Sequence, residues 1–170
     1  MLTYRYQTGR QRHQVQYYRS GSRGFLILTV PCGLAIEIMG HKDTDPSIIR
    51  LILEECKAHG FSPFHVQKSS IGYIYNRIWA AIKRETLLVL SEDVCSPEEI
   101  DAIFKDVLKT PKGPCEQMDV VGLDVVRDIE NHYADSRSGI PSEPREYLNK
   151  MIEDGRLGIK NGQGFYDYRN

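Results

Sequence analysis

The stretch SIGYIYNRIWAAIKRE, residues 70–85, decides how the rest of this 170-residue chain is arranged. Its apolar residues recur at three- and four-residue spacings, which is the pattern of a helix that buries one face. The residues predicted to face inward are Ile71, Ile74, Ile78, Ala81, Ile82 and Leu88. The basic residues Arg77, Lys83 and Arg84 fall outside that face. We therefore predict a central helix that continues through Leu90.

Asn76 is the unusual residue of this helix. Asn is a mediocre helix former, and near the start of a helix it usually serves through its side-chain amide. A pocket residue, a helix cap and a packing residue are the open roles. We expect a polar group to meet this amide.

Composition limits the class of protein. With 41% hydrophobic residues and a net charge of −1, the chain can build one sizeable core, or a core with an appendage. The near-zero charge argues against a nucleic-acid partner, and no apolar run is long enough to span a membrane. Cys32, Cys56, Cys95 and Cys115 are widely spaced, with no CxxC pair. We expect reduced thiols, no metal site and a cytoplasmic protein, with the mitochondrial or peroxisomal matrix as alternatives.

The first segment, residues 1–24, contains five arginines and no acidic residue. Alternating Tyr4 and Tyr6, then Val15 and Tyr17, flank a turn-like Thr8-Gly9-Arg10, which favours a β-hairpin or a loose basic arm. A mitochondrial targeting peptide is the main alternative. A nucleic-acid-binding arm is less favoured because its charges are isolated rather than clustered.

Residues 25–69 carry strand patterns around one helix. Phe25–Val30 and Leu34–Met39 are short apolar runs that read as buried strands, and Phe61–Val66 resembles a third. Between them, Asp45-Pro46 opens a helix that stops near Gly60. Its predicted inward residues are Ile48, Ile49, Leu51, Ile52 and Cys56. The order strand, strand, helix, strand is the closing part of an α/β sheet.

Residues 70–170 read as a helical domain. Ser96-Pro97-Glu98-Glu99 is a helix N-terminal signature. The inward residues predicted for that helix are Ile100, Ile103, Phe104 and Val107. Further helix is expected over 115–134, with a break at 121–124, and over 141–154, before a glycine-punctuated loop at 155–164. The fold class is therefore mainly α, a helical bundle preceded by a small β/α element.

Four motifs in order resemble the C-terminal half of the L-3-hydroxyacyl-CoA dehydrogenase family. They are GYIYNR at 72–77, SPEEID at 96–101, GPCEQMDVVGLD at 113–124, and GRLG at 155–158 with GQGFYDY at 162–168. In that family an N-terminal Rossmann domain binds NAD, and the helical domain closes the acyl pocket and forms a dimer. No Gly-x-Gly-x-x-Gly follows a strand in this sequence, so residues 25–69 resemble a remnant of the Rossmann sheet. We expect no cofactor and no NAD-dependent activity.

The resemblance also assigns candidate site residues. Glu37 matches the carboxylate of the family's His-Glu catalytic dyad, whereas the position of the His falls at or near Phe25, and the His is not matched. Asn76 matches the family's substrate-side Asn. The candidate catalytic residues are thus Glu37, Asn76 and Tyr73, whose phenol can donate to a carbonyl oxygen. The candidate substrate-binding residues are Tyr75, Arg77, Trp79 and Lys83.

Each candidate has a structural alternative. Glu37 is either solvated on an exposed edge strand, or half buried and able to act as a general acid or base. Tyr73 and Tyr75 are also typical core residues. His65 and His132 have no ligand partner at a useful spacing, so we interpret them as structural or solvated residues.

Three functions follow from these observations. The first is a cofactor-free enzyme that performs isomerisation, cyclisation, dehydration or addition on an acyl- or polyketide-like carbonyl compound. The second is a non-catalytic dimerisation or acyl-binding module. The third is a fragment of an ordinary NAD-dependent dehydrogenase. We favour the first and expect a homodimer, because the helical domain without a Rossmann partner leaves apolar surface to cover.

Overall fold

The computed structural model describes the backbone of Leu2–Thr8, Gln11–Tyr18 and Phe25–Thr29, and both backbone and side chains of residues 34–169. The chain divides into two compact units, Met1–Ile78 and Trp79–Asn170. The sequence analysis places the domain boundary between 69 and 70, whereas the structure assigns residues 70–78 to the first unit. Gly9 and Arg10 of the predicted turn lie outside the described residues, as do Pro31 and Cys32.

The first unit contains a five-stranded sheet in the order β1-β2-β3-β4-β5. Its strands are β1 Leu2–Thr8, β2 Gln11–Tyr18, β3 Phe25–Thr29, β4 Ala35–Gly40 and β5 Ser62–Val66. The first three pairings are antiparallel, and β4 and β5 pair in parallel. A parallel pair needs a crossover connection, which helix α1 (Pro46–Ala58) supplies. The predicted order of strand, strand, helix and strand is confirmed.

Helix α1 begins as its sequence predicts. The Asp45 carboxylate accepts the Ser47 backbone N–H at 2.8 Å, and Pro46 occupies the first turn. Ile49 packs with Ile36 and Ile38 in the core of this unit. Leu51 was predicted to point inward, and this is wrong, because its side chain is 55% exposed.

The second unit is helical. Its helices are α2 Tyr75–Ser91, whose first turn belongs to the first unit, α3 Pro97–Leu108, α4 Pro114–Val121, α5 Leu123–Ser136 and α6 Glu143–Glu153, followed by a 3₁₀ turn at Ile159–Asn161. The predicted cap of α3 is confirmed as a reciprocal capping box between Ser96 and Glu99. The predicted break before residue 124 is also confirmed, since Gly122 separates α4 from α5 with a φ of 101°.

The buried face of α2 differs from the predicted one. Its buried residues are Ala80, Lys83, Thr86, Leu87 and Leu90. Ile71, Ile74 and Ile78 are instead 40%, 41% and 58% exposed. Apolar residues occupy both sides of this helix at helical spacing, so periodicity alone could not decide which side is buried. The prediction that Lys83 points away from the buried face is therefore wrong.

Helix α3 shows the same kind of correction. Ile100 is buried as predicted, but Ile103 and Val107 are 61% and 66% exposed. The side chain that replaces them in the interior is Asp101, which is 1% exposed. A buried carboxylate is stable only where donors surround it.

Two buried aspartates organise the end of the chain. Asp101 accepts the backbone N–H groups of Cys115 and Glu116, each at 2.8 Å. Asp119 accepts those of Phe165 and Tyr166 at 2.9 and 3.1 Å. A Cβ at Gly164 would lie 2.0 Å from Asp119 Oδ1, so the close approach of this loop requires glycine. The glycine-rich ending is scaffold, as its sequence predicts.

Candidate functional site at the start of α2

Glu37 lies in the interior of the sheet. β4 is hydrogen-bonded to β3 on one side and to β5 on the other, so it is not an edge strand. The Glu37 side chain is 3% exposed. The interpretation of Glu37 as a solvated residue on an exposed edge is therefore wrong.

The Glu37 carboxylate binds the beginning of α2. Its Oε1 accepts the backbone N–H of Tyr75 at 2.8 Å and that of Ile74 at 3.2 Å. Its Oε2 has a longer contact, 3.4 Å, to the Ile74 N–H. The first N–H groups of a helix have no partner within the helix, and a negative charge beside them is favourable. Glu37 thereby fixes where the helix starts, and its Oε2 keeps most of its capacity to accept a proton or a hydrogen bond.

The loop before α2 is held in an unusual conformation. Gly72 and Tyr73 both have positive φ, at 75° and 56°. The Ser70 hydroxyl donates to the Tyr73 carbonyl oxygen at 2.9 Å, and Arg77 Nη1 donates to the Ser70 hydroxyl at 3.2 Å. A non-glycine residue in the left-handed region is costly, and such strain is concentrated at functional sites.

Tyr73 keeps its phenolic proton. Burial, with a smaller contribution from the negative charge of Glu37, raises the pKa of Tyr73 to about 12. The phenol is therefore neutral at physiological pH and available as an O–H donor. Tyr73 directly precedes Ile74, whose backbone N–H donates to Glu37 Oε1.

Asn76 is the second residue of α2 and is half-buried. Its side-chain amide makes no hydrogen bond with any of the residues that the structure describes. Amides in such positions usually have a partner when buried. The Asn76 amide is thus unused within the described part of the fold, and Asn76 directly follows Tyr75, whose backbone N–H binds Glu37.

The predicted substrate-binding residues are placed differently. Tyr75 is 42% exposed, and Arg77 braces the preceding loop through Ser70. Trp79 is half-buried and Lys83 is 3% exposed, and both belong to the second unit. The first unit therefore groups Glu37, Tyr73, Asn76, Tyr75 and Arg77 along one loop and helix start.

Sequence reasoning missed a buried ion pair in the second unit. Arg84 donates to both Glu130 oxygens, at 2.7 Å from Nε and 3.2 Å from Nη2. Glu130 is 1% exposed. Nothing in the local sequence marks this residue, because a single Glu in an amphipathic helix is usually solvated.

Two further findings concern metals and membranes. Among the described residues, no group of three or more His, Cys, Asp or Glu side chains is placed to hold a metal ion. Across the same residues, no helix combines the length and the apolar character that crossing a bilayer demands. Cys56, Cys95 and Cys115 are free thiols.

Comparison with known proteins defines the class. Residues 72–168 match the family model "3-hydroxyacyl-CoA dehydrogenase, C-terminal domain". A 3-hydroxyacyl-CoA dehydrogenase-like protein of Cochliobolus heterostrophus is 39% identical over 134 residues, which cover 77% of this chain and 28% of that protein. A probable 3-hydroxybutyryl-CoA dehydrogenase of Deinococcus radiodurans is 30% identical over 139 residues, 82% of this chain and 50% of that one.

A solved structure agrees with these sequence relatives. The crystal structure of (S)-3-hydroxybutyryl-CoA dehydrogenase from Ralstonia eutropha superposes with a TM-score of 0.71 at 30% identity, covering 83% of this chain and 50% of that one. The chain belongs to the family defined by the C-terminal domain of 3-hydroxyacyl-CoA dehydrogenases. It spans between 28% and 50% of the length of these three proteins. The resemblance drawn from the four sequence motifs is confirmed.

Proposed function

We propose that this chain is a cofactor-free enzyme that descends from a 3-hydroxyacyl-CoA dehydrogenase and performs acid/base chemistry on an acyl- or polyketide-like carbonyl compound. The observation that carries the proposal is the grouping at the start of α2. The Glu37 carboxylate binds the first N–H groups of α2, Tyr73 precedes those groups and keeps its phenolic proton, and Asn76 follows them with an amide unused among the described residues. Such a set can polarise a carbonyl and move a proton without a redox partner.

The roles follow from the chemistry of each group. The Asn76 amide N–H and the Tyr73 O–H donate to the carbonyl oxygen, which stabilises the negative charge that develops there. Glu37 Oε2 accepts a proton from the carbon next to the carbonyl and returns it to a second position. Isomerisation, dehydration, cyclisation and addition all use this proton transfer.

Sequence also supports a non-redox reaction. Phe25 stands where the resemblance places the histidine base of the dehydrogenases, and phenylalanine cannot take a proton. The carboxylate then remains as the base. We further propose that Tyr75 and Arg77, which belong to the same unit as Glu37, contact the substrate.

A second candidate is the substrate-binding half of an NAD-dependent dehydrogenase. The names of the relatives favour it, since the Deinococcus radiodurans and Ralstonia eutropha proteins are called 3-hydroxybutyryl-CoA dehydrogenases. Turnover of carbonyl compounds by this chain without NAD would favour the cofactor-free proposal over this candidate. Tight binding of NADH by this chain, followed by NADH fluorescence, would contradict the cofactor-free proposal.

We also propose that the protein is a cytoplasmic homodimer. Helix α3 exposes Ile103, Val107 and Leu108, which are 61%, 66% and 57% accessible. A two-fold contact through this apolar face would cover it. Sedimentation at micromolar concentration should give a dimer, and a well-folded monomer would contradict the proposal. A non-catalytic dimerising or acyl-binding module would also sediment as a dimer, but it would show no turnover.

Turnover is the direct test of the acid/base proposal. Wild type and the variants Glu37→Gln, Asn76→Ala and Tyr73→Phe are assayed on 3-oxoacyl and 3-hydroxyacyl thioesters and on polyketide-like enones. We expect the Glu37 and Asn76 variants to lose about 100-fold or more in kcat, which is typical for removing a general base or an oxyanion donor. Glu54→Gln, at an exposed position on α1, is the matched control. Equal turnover in all variants would exclude this site.

A further inference from the structure

One peptide group of the loop before α2 is held at both of its ends. The bond between Tyr73 and Ile74 is trans, so its C=O and its N–H point in opposite directions within one plane. The Ser70 hydroxyl donates to this C=O at 2.9 Å, and the N–H donates to Glu37 Oε1 at 3.2 Å. Whatever fixes the direction of the C=O therefore also fixes the direction of the N–H that Glu37 accepts.

Ser70 holds Tyr73 in a conformation that most residues avoid. Tyr73 has a φ of 56°, in the left-handed region that side chains other than glycine rarely adopt. The Ser70 backbone carbonyl accepts the Tyr73 N–H at 3.2 Å, in addition to the hydrogen bond from its hydroxyl to the Tyr73 carbonyl. Two hydrogen bonds to one serine thus keep the turn closed. A Tyr73 that relaxed to a negative φ would reorient the peptide that follows it, and with it the Ile74 N–H.

Arg77 completes a chain of hydrogen bonds between two opposite charges. Its Nη1 donates to the Ser70 hydroxyl at 3.2 Å. The chain of bonds runs from the guanidinium to the hydroxyl, through the Tyr73–Ile74 peptide, and to the Glu37 carboxylate. Hydrogen bonds in series polarise one another and strengthen the whole set. The Ser70 hydroxyl is the link that joins the cation to the peptide.

We propose that Ser70 is a positioning residue for the candidate site: it aims the Ile74 N–H at Glu37 and thereby holds that carboxylate for proton transfer. This role rests on the acid/base function proposed for Glu37. Without the Ser70 hydroxyl, Glu37 keeps the Tyr75 N–H, at 2.8 Å, but its bond to the Ile74 N–H weakens. The carboxylate then rotates more freely, and proton transfer needs a fixed geometry.

Amide hydrogen exchange tests the positioning without any substrate. NMR of the full chain follows the Ile74 amide, with the Cys115 amide, which Asp101 accepts at 2.8 Å in the second unit, as the reference. We expect Ser70→Ala to speed exchange at Ile74 about fivefold or more and to leave Cys115 unchanged, because a lost hydrogen bond opens the loop locally. Equal acceleration of both amides, or none at Ile74, would overturn the proposal.

The preceding serine provides a matched control. Ser69 is exposed, and its side chain has no hydrogen-bond partner within the described part of the chain. Ser69→Ala should therefore exchange at Ile74 as wild type does, and Ser70→Thr, which keeps the hydroxyl, should restore the protection. Arg77→Ala is a second variant if circular dichroism shows that Ser70→Ala does not fold, and it should also speed exchange at Ile74. Fast exchange in Ser70→Thr would contradict a role for the hydroxyl.

Turnover separates the role of Ser70 from the proposed function itself. On a carbonyl compound that wild type converts, Ser70→Ala should lose about tenfold or more in kcat, while Ser69→Ala keeps the wild-type value. KM should change less than kcat, because Ser70 positions the base and not the substrate. If wild type converts none of the compounds, the proposed function fails, and exchange at Ile74 still decides whether Ser70 fixes the Glu37 contact. Faster exchange at Ile74 with an unchanged kcat would overturn the positioning role alone.

Discussion

Glu37 in the first unit and Asp119 in the second are both buried carboxylates that accept two backbone N–H groups, yet they differ in what else they bind. Asp119 also accepts the Tyr168 hydroxyl at 3.0 Å, and Asp101 likewise accepts the Tyr166 hydroxyl at 2.7 Å. Among the described residues, Glu37 is hydrogen-bonded to backbone alone. A carboxylate whose oxygens all accept hydrogen bonds from the fold, such as Asp119, is part of the scaffold. A carboxylate that can still accept a further hydrogen bond, such as Glu37, is a candidate catalytic group.

The largest expected effect is at the scaffold carboxylate. Asp119→Ala leaves the N–H groups of Phe165 and Tyr166 and the Tyr168 hydroxyl without an acceptor. We expect a loss of about 3–5 kcal/mol in the free energy of unfolding, measured by urea titration. A loss below about 1 kcal/mol would break the comparison, because Asp119 would then not be essential to the ending of the chain.

The next effect concerns Lys83 and has the opposite sign. Lys83→Met removes a charge from a side chain that is 3% exposed, so it should raise the free energy of unfolding at pH 7 by up to about 3 kcal/mol. Below about pH 8 the lysine is protonated in both states, and the folded state carries the cost of the buried charge. Between about pH 8 and 10.5 the unfolded chain binds more protons than the folded one, so wild-type stability rises with pH.

The methionine variant lacks this rise, so its advantage should shrink across that window. Parallel urea titrations of wild type and Lys83→Met at several pH values measure it. An advantage that grows from pH 8 upward would have the wrong sign for a lysine whose pKa is lowered by burial beside Arg84, with Glu130 opposing the shift.

A smaller effect on stability is expected at the candidate site. Glu37→Gln keeps an acceptor oxygen for the N–H groups of Ile74 and Tyr75 but removes the negative charge from the helix start. We expect a loss of about 1 kcal/mol in stability together with a large loss of turnover. This combination would sharpen the contrast with Asp119. A stability loss as large as that of Asp119→Ala would place Glu37 with the scaffold instead.

The smallest effect is a single hydrogen bond. Tyr168→Phe removes the hydroxyl that Asp119 accepts and leaves both backbone donors in place. The free energy of unfolding should fall by about 1 kcal/mol. The matched substitution Tyr166→Phe tests the same bond at Asp101. If neither variant loses measurable stability, the tyrosine hydroxyls do not distinguish the scaffold carboxylates from Glu37.

Local signals in the sequence predicted most of the elements. The cap at Ser96, the proline and aspartate at the start of α1 and the break at Gly122 each depend on neighbouring residues, and each is found where predicted. The burial of individual faces was less predictable. Ile78 was expected inside and is 58% exposed, while Lys83 was expected outside and is 3% exposed.

The candidate site was predictable only in part. The sequence motifs pointed to Glu37 and Asn76, and the fold places the Glu37 carboxylate on the N–H groups that immediately precede Asn76. The pairing of Arg84 with Glu130 had no local signal, because it joins residues 46 positions apart in the chain. A contact between residues so far apart in the chain produces no periodic pattern in the sequence from which it could be predicted.

The sequence by itself determined the family, the order of strands and helices and where most helices begin, because capping residues, prolines and motif spacing act over a few neighbouring residues. The tertiary structure alone decided which side of α2 is buried, which carboxylates accept hydrogen bonds on both oxygens and that Lys83 is buried away from solvent. Those properties depend on what other segments bring into contact, and desolvation and hydrogen-bond partners are set by that contact rather than by position along the chain.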